Sequence, residues 1–193
     1  MGANDPVIFL ADMDGSIADY AGELERRLRL LASEGEPEVN LCGNSWEDEP
    51  DYLKARMALI KRSPGFWSVL PKMDDGFEIM DMAQALGMSI HILTKGPRFA
   101  PIGWTEKMVW CESNIPYDHQ VTITMDKGLV YGRVLMDDYP EYALRWLKWR
   151  KRGQVIMPDR PWNRGFDHPQ VYRYTGDRQT LRQVMSKVAE VSE

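Results

Sequence analysis

The chain has 193 residues, of which 44% are hydrophobic and 27% charged, and it carries a formal net charge of -5 at pH 7. These values are typical of a soluble globular protein of about one domain. The negative charge argues against a general nucleic-acid binder, which is normally basic. No apolar run approaches the length of a membrane span, and Asn4, Asp5 and Pro6 interrupt any signal-peptide pattern. The two cysteines lack C-x-x-C spacing, so we expect a reducing, cytoplasmic location.

The first structured stretch is VIFLADMDGS, residues 7–16. Its apolar run at residues 7–10 predicts a strand buried on both faces, as in a parallel sheet. Asp12 and Asp14 follow this strand, and Gly15 allows a sharp turn. The carboxyl ends of strands are where open α/β sheets bind ligands. Carboxylates at such a position cost stability unless they hold a cation or take part in chemistry.

Three interpretations of this stretch compete. An EF-hand loop that began at Asp12 would need Gly at its sixth position, where the chain has Ile17, and a helix before it. That interpretation is therefore excluded. A plain surface turn remains open, because Asp and Gly are common turn residues. A phosphoryl-transfer site, with one Asp as nucleophile and the other as general acid, also remains open.

The next part of the chain reads as helical. Helices are predicted over residues 19–33 and 51–62, because apolar side chains recur on one face of each. The acidic, turn-rich segment 33–50 connects them, and the Pro-Gly turn of SPGFW at 63–67 follows. No strand is evident between residues 18 and 72, which indicates a helical insertion after the first strand.

From residue 74 onward, strand and helix patterns alternate. Such alternation predicts a parallel sheet with helices on both faces, an α/β fold of three layers. Tyr142, Trp146 and Trp149 share one face of the predicted helix 140–152, and we expect the two tryptophans to pack into the core. The predicted elements are helices at 75–86, 104–114, 140–152 and 177–191 and strands at 88–94, 121–124, 133–138, 154–158 and 171–174.

Polar residues follow several of these strands. Hydrolysis of a phosphate monoester needs an in-line nucleophile, an acid for the leaving oxygen and positive charge near the phosphoryl oxygens. A carboxylate nucleophile repels a phosphate dianion, so Mg²⁺ would have to bridge them. Each residue alone also fits a loop, turn or helix cap, but their shared order favours a phosphoryl-transfer site. The set is Asp12 with Asp14, Thr94, Lys127 after VTIT, and Asp137 with Asp138.

This set resembles the four motifs of the haloacid dehalogenase (HAD) superfamily of phosphohydrolases. DMDGS matches the D-x-D-G-[ST] first motif, Thr94 the second, Lys127 the third and the MDD segment the fourth. The resemblance implies that Asp12 is a nucleophile that forms an aspartyl-phosphate and that Asp14 is the general acid/base. It also implies a Mg²⁺ ion bound by Asp12, the carbonyl oxygen of Asp14 and an acid of the fourth motif.

Within that superfamily the chain looks like the 5'(3')-deoxyribonucleotidase family. The resemblance rests on DMDGSIADY, SPGFWSVLP, WTEKMVWCESNI, ITMDKGLVYGRVLMDD and VIMPDRPWNRG, which occur in the family's order. It implies a core of residues 1–18 and 73–193 and a small helical cap of residues 19–72. In the fourth motif it implies that Asp138 binds the metal and that Asp137 supports it.

The same resemblance implies an aromatic pocket in the cap for the base and sugar. Tyr20, Phe66 and Trp67 match pocket positions, and Trp46 and Lys61 are further substrate-binding candidates. The second motif departs from the family, which has Thr-Ser-Pro where this chain has Thr94 followed by Lys95, Gly96 and Pro97. Lys95 therefore joins the phosphate-binding candidates Thr94 and Lys127, and it could alter which phosphates are accepted.

The resulting prediction is a Mg²⁺-dependent phosphatase for ribo- or deoxyribonucleoside monophosphates. Two alternatives stay open. One is a related phosphatase for another monoester, such as a nucleic-acid 3'-phosphate or a sugar phosphate, and the other is a non-catalytic nucleotide-binding module. We expect a small nucleotide as the binding partner, with no membrane and no stable nucleic-acid partner. The sequence leaves a homodimer open.

Overall fold

The computed structural model describes residues 6–41 and 49–190. Its centre is a six-stranded sheet with the strand order β3-β2-β1-β4-β5-β6, in which every neighbouring pair is parallel. The strands are β1 (Ile8–Ala11), β2 (Ser89–Lys95), β3 (Gln120–Thr124), β4 (Val134–Met136), β5 (Gln154–Pro158) and β6 (Val171–Tyr174).

Six helices accompany these strands in the described residues. The longest, α4 and α6, have 13 residues each, and no described helix combines the length and apolarity needed to cross a bilayer. The helices are α1 (Tyr20–Leu30), α2 (Asp51–Arg62), α3 (Asp74–Ala85), α4 (Ile102–Asn114), α5 (Pro140–Leu147) and α6 (Arg178–Glu190), with 3₁₀ turns at Trp67–Val69, Lys127–Leu129 and Pro161–Asn163.

Side chains of β1 alternate between two apolar cores, because successive residues of a strand point to opposite faces of the sheet. Phe9 and Ala11 pack with buried residues of α3, α4 and α6 on one face. Leu10 packs on the other face with Trp146 and Leu147 of α5. The sheet is therefore covered by helices on both faces, which confirms the predicted α/β class.

The strand order indicates which edge of the sheet can bind a ligand. The chain passes from β1 outward to β2 and β3, then returns across the sheet to β4 on the opposite side of β1. Open α/β sheets bind ligands at such a reversal point, beyond the carboxyl ends of the strands. The acids after β1 and β4 and Thr94 near the end of β2 meet at this edge.

The segment between β1 and α3 is helical, as predicted. It contains α1, α2 and one 3₁₀ turn, and the only β contacts of described residues there are isolated bridges at Ala18. Its entry and exit are joined by hydrogen bonds from the Asp19 amide to the Pro71 carbonyl (2.8 Å) and from the Met73 amide to the Ile17 carbonyl (3.0 Å). The division into a core of residues 1–18 and 73–193 and a cap of residues 19–72 stays a prediction.

The end of α5 differs from the sequence prediction. The helix ends at Leu147 rather than at residue 152. The Arg150 guanidinium donates to the Gly128 carbonyl (2.8 Å) and to the Trp146 carbonyl (3.0 Å), and the latter is an acceptor that a further helical turn would use. Trp146 is fully buried, whereas Trp149 is 68% exposed. The expectation that Trp149 packs into the core was therefore wrong.

Substitution of the two tryptophans should separate their roles. Trp146→Ala should lower the free energy of unfolding by about 3–5 kcal/mol, because it removes a large buried side chain. Trp149→Ala should change it by about 0.5 kcal/mol or less, as is usual for surface positions. Urea denaturation of both variants measures this difference. Equal losses in the two variants would contradict the assigned end of α5.

Candidate active site

A cavity of about 900 Å³ opens at the reversal point of the sheet. Its base contains the carboxylates of Asp12, Asp14 and Asp138, and the helical insertion and the loops after β2, β4 and β5 form its walls. Predicted site residues that line it are Asp12, Asp14, Tyr20, Lys61, Trp67, Lys95, Lys127 and Asp138.

Three buried acids lie together at the base. Carboxylate oxygens of Asp12, Asp137 and Asp138 lie within 4.8 Å of one another. Lys127 Nζ lies 2.6 Å from Asp12 Oδ1 and 2.8 Å from Asp137 Oδ2. Burial raises the pKa of Asp12 well above its usual range, and repulsion from the other acids adds to this despite Lys127. Burial together with Asp137 raises the pKa of Asp138 to about 7.

The acid cluster suits a hard divalent cation. One lysine compensates only part of the charge of three carboxylates, and carboxylate oxygens are the ligands that Mg²⁺ prefers. Both oxygens of Asp137 are engaged, Oδ2 by Lys127 and Oδ1 by the Tyr139 amide at 2.9 Å. Asp12 and Asp138 line the cavity and Asp137 does not. These contacts support the predicted division in which Asp138 binds the metal and Asp137 supports it.

Lys107 is a site residue that the sequence reasoning missed. Its ammonium group is fully buried and lies 2.5 Å from Asp14 Oδ2. It also donates to Thr94 Oγ1 at 2.8 Å. Lys107 belongs to the buried face of α4, together with Gly103, Glu106 and Trp110. The sequence does place a lysine and a glutamate on an otherwise apolar face of this helix. Charged residues are rarely buried without partners, so this pattern could have indicated that both side chains bind other polar groups.

Thr94 is fully buried and is not part of the cavity lining. Its hydroxyl accepts the hydrogen bond from Lys107. The structure thus places Thr94 behind the Lys107–Asp14 pair. Its predicted contact with phosphate stays a prediction.

Two aromatic residues of the insertion form one wall of the cavity. The rings of Tyr20 and Trp67 stack with centroids 5.3 Å apart and an interplanar angle of 13°. Phe66 is fully buried and is absent from the cavity lining. It contacts the Trp67 ring edge-on, with centroids 5.0 Å apart, and the Arg27 guanidinium lies over the Phe66 ring. The structure therefore places Phe66 behind the wall, contrary to the pocket position expected for it.

Lys61 and Trp46 are the other two substrate-binding candidates of the predicted cap. Lys61 lines the cavity near the aromatic wall, and partial burial lowers the pKa of its ammonium group. Trp46 lies outside the described residues. Both substrate-binding roles stay predictions.

Glu106 attaches the aromatic wall to the core. Its carboxylate accepts backbone N–H bonds from Gly65 at 2.6 Å and from Trp67 at 3.0 Å. The Trp67 indole N–H donates in turn to the Lys61 carbonyl at 2.9 Å. Glu106 and Lys107 are adjacent on α4, so this helix contacts both the wall and the acid Asp14.

Lys95 also lines the cavity. Its ammonium group donates to the Tyr142 hydroxyl at 2.8 Å and lies 4.8 Å from the centre of the Tyr142 ring. Lys127 Nζ lies 5.0 Å from the centre of the same ring. Tyr142 therefore contacts both cations, and cation–π attraction favours this arrangement. No ion pair of Lys95 occurs among residues 6–41 and 49–190, so its charge is available to a ligand.

A loop after β5 contacts Asp138 of the acid cluster, and Trp162 of this loop lines the cavity. The Trp162 indole N–H donates to Asp138 Oδ2 at 2.9 Å, and the Asn163 amide donates to the Asp138 carbonyl at 2.8 Å. Gly15 approaches the same carboxylate closely, because a Cβ atom there would lie 2.4 Å from Asp138 Oδ2. The φ of Gly15 is +76°, which also favours glycine. Sequence reasoning gave Trp162 and Asn163 no role.

Comparison with known proteins gives a family match, two similar sequences and one similar structure. The sequence model of the family described as 5' nucleotidase, deoxy (pyrimidine), cytosolic type C protein (NT5C) matches residues 5–186. A Bordetella pertussis protein provisionally named a 5'(3')-deoxyribonucleotidase is 29% identical over 163 residues, which are 82% of this chain and 86% of that protein. A Bordetella bronchiseptica protein of the same name is 28% identical over the same shares of both chains. The crystal structure of a HAD-superfamily hydrolase from Ehrlichia chaffeensis aligns with 95% of this chain and 97% of its own, at 10% identity and a TM-score of 0.45.

The role of Glu106 can be tested by Glu106→Gln. The amide can accept only one of the two backbone N–H bonds and directs its own N–H₂ group at the other. We expect the free energy of unfolding to fall by about 1–3 kcal/mol, the cost of an unsatisfied buried donor. Amide hydrogen exchange at Gly65 and Trp67 should accelerate as well. Glu112→Gln on the same helix, where the side chain is 68% exposed, is the matched control and should leave both measurements unchanged.

Proposed function

Because this chain belongs to the NT5C family of 5' nucleotidases, which it matches over residues 5–186, we propose that it is a Mg²⁺-dependent phosphatase of ribo- or deoxyribonucleoside monophosphates. One observation carries the proposal. Paired acids with buried lysine partners lie at the base of a cavity that has the stacked rings of Tyr20 and Trp67 on its wall. The acids suit phosphoryl transfer, and the rings suit a planar base.

Asp12 is the nucleophile in this proposal. Its Oδ1 accepts from the Met13 amide at 2.7 Å and pairs with Lys127 at 2.6 Å. Both contacts fall on one oxygen, so Oδ2 remains available to attack phosphorus. The bond from Oδ2 to phosphorus forms as the bond from phosphorus to the nucleoside oxygen breaks. Water then hydrolyses the resulting aspartyl-phosphate and regenerates the Asp12 carboxylate.

Asp14 is the proton carrier. Its Oδ2 is paired with Lys107, while its Oδ1 is buried and has no hydrogen-bond partner in the described part of the chain. An unsatisfied buried acceptor at a catalytic base points to a ligand-derived partner. We assign Oδ1 as the atom that gives a proton to the leaving nucleoside oxygen and takes one from the attacking water.

Asp12, Asp138 and the Asp14 carbonyl would hold the Mg²⁺ ion, which when bound offsets the repulsion between the carboxylate nucleophile and the phosphate dianion. The ammonium groups of Lys95 and Lys127 supply further positive charge on the cavity side. Both lysines contact Tyr142, which limits their freedom before substrate arrives. Less ordering is then needed when phosphate binds.

The alternatives fit less well. A sugar phosphate or a nucleic-acid 3'-phosphate would also suit the acids, but a sugar makes less use of two stacked aromatic rings. A non-catalytic nucleotide-binding module would not need Asp12, Asp14 and their lysine partners together. We further infer a cytoplasmic location, because the two cysteines of the chain form no disulfide framework. A homodimer stays a prediction.

The chemistry is tested by Asp12→Asn. The amide keeps the shape of the side chain but is a poor nucleophile and a poor metal ligand, so turnover should fall by about 10³-fold or more. Phosphate release from a panel of nucleoside monophosphates, with Mg²⁺ and after its removal by a chelator, measures the effect. Asp167→Asn, at an exposed position, should remain fully active. Near-normal release by Asp12→Asn protein would exclude Asp12 as the nucleophile.

The nucleotide assignment is tested at the aromatic wall. Trp67→Leu keeps an apolar side chain but removes a stacking surface worth about 1–3 kcal/mol per base. That energy corresponds to a fall in kcat/KM of about 5- to 150-fold for nucleotides. Hydrolysis of a small aryl phosphate should change much less. Phe66→Leu is the matched control and should lower thermal stability without changing the ratio of the two substrates. Parallel losses on both substrates in Trp67→Leu would remove the main local support for a nucleotide.

A further inference from the structure

The carboxylate of Asp138 is oriented by groups on both sides. The Trp162 indole N–H donates to Oδ2 at 2.9 Å, and the Ser16 hydroxyl donates to Oδ1 at 3.3 Å. The side-chain amide of Asn163 donates to the backbone carbonyl of Asp138 at 2.8 Å, which fixes the backbone at Asp138. Each carboxylate oxygen therefore has one protein donor and retains capacity for another partner.

The loop that carries Trp162 is itself well anchored. Arg160 donates to the Gly15 carbonyl at 2.7 Å and forms a bidentate pair with Asp75, with distances of 2.6 and 3.0 Å. Asn163 is fully buried, and its side-chain oxygen accepts from the Arg160 amide at 3.1 Å. The indole thus contacts Asp138 from a position fixed by Gly15, next to Asp14, and by Asp75, at the start of α3.

The anchored indole restricts the orientation of the Asp138 carboxylate. A carboxylate can rotate about its terminal bond, and rotation would turn its free lone pairs away from Asp12. The Trp162 N–H has no acceptor capacity of its own and can only donate, so it favours the charged, correctly rotated carboxylate. Partners that orient metal ligands in this way commonly contribute 10- to 100-fold to metal affinity or activity.

We propose that Trp162 is a positioning residue for the metal site, which holds the Asp138 carboxylate in the orientation that binds Mg²⁺. The proposal rests on the proposed function, because it assumes the metal of the phosphatase. It assigns to the indole N–H a role separate from the packing of the ring against the cavity. The two roles can be separated, since phenylalanine preserves much of the ring and removes the donor.

The test is Mg²⁺ titration of metal-free Trp162→Phe protein by calorimetry. The dissociation constant should rise by about 10- to 100-fold relative to the parent chain. In activity assays the variant should need correspondingly more Mg²⁺, while kcat and the nucleotide KM at saturating Mg²⁺ should stay within about twofold of the parent. A role of the ring in substrate binding would instead raise KM at saturating Mg²⁺.

Trp104→Phe provides the matched control. Its indole N–H donates to the Pro97 carbonyl at 3.2 Å, so the same chemical change occurs away from the acids and should leave Mg²⁺ affinity unchanged. Asp138→Asn should abolish binding. The titration stoichiometry counts the folded protein, so partial misfolding of a variant does not distort its dissociation constant.

The outcomes distinguish this proposal from the proposed function. Equal Mg²⁺ affinity in Trp162→Phe and the parent would overturn the positioning role and leave the phosphatase assignment intact. A parent chain that binds no Mg²⁺ would overturn both. Equal loss of affinity in Trp162→Phe and Trp104→Phe would show a general structural effect and would also overturn the positioning role.

Discussion

The contact of Lys127 with Asp12 and Asp137 is the interaction on which the site depends. Three carboxylates buried within 4.8 Å of one another repel each other and lose their hydration. The ammonium group, at 2.6 Å from Asp12 and 2.8 Å from Asp137, offsets part of this cost. The carboxylates in turn raise the pKa of Lys127 although burial alone lowers it. An excess of negative charge remains, which a divalent cation can neutralise. The cluster is therefore suited to bind a metal.

The parallel sheet brings these groups together without any strained chain path. β1 and β4 are neighbours, and their carboxyl ends deliver Asp12, Asp137 and Asp138 to one edge. Helix α4 then adds two charged residues on its buried face. Glu106 holds the backbone of the aromatic wall and Lys107 holds Asp14. A shift of α4 would therefore displace the aromatic wall and Asp14 together, which in the proposed mechanism couples the position of the substrate to the position of the acid.

Much of this arrangement could be predicted from the sequence, because strand ends and their order are local patterns. Asp12, Asp14, Lys127 and Asp138 all follow predicted strands, and the structure brings them to one cavity. Lys107 could not be placed in the same way, because its burial depends on Asp14, 93 positions away in the chain. Helical periodicity does suggest that a residue belongs to the inner face. It does not identify the distant partner that makes a buried charge tolerable.

The errors have a similar physical origin. Trp149 continues the apolar spacing of α5, but the helix ends first, where the Arg150 side chain binds the Trp146 carbonyl of the helix and the Gly128 carbonyl of another segment. Phe66 and Trp67 are adjacent apolar aromatics, and only their tertiary neighbours determine that one faces the cavity and the other faces Arg27. The end of a helix and the surroundings of an apolar side chain both depend on long-range contacts. A local sequence pattern does not contain this information.

The net charge of -5 describes the whole chain and says little about the cavity. Lys107 and Lys127 pair with some of the acids at its base, and three further cations, Lys61, Lys95 and Arg98, line the cavity. A small anion in the cavity therefore has positive side chains close by as well as the acids. The charges that line the cavity therefore suit a small anionic ligand, although the chain as a whole is acidic.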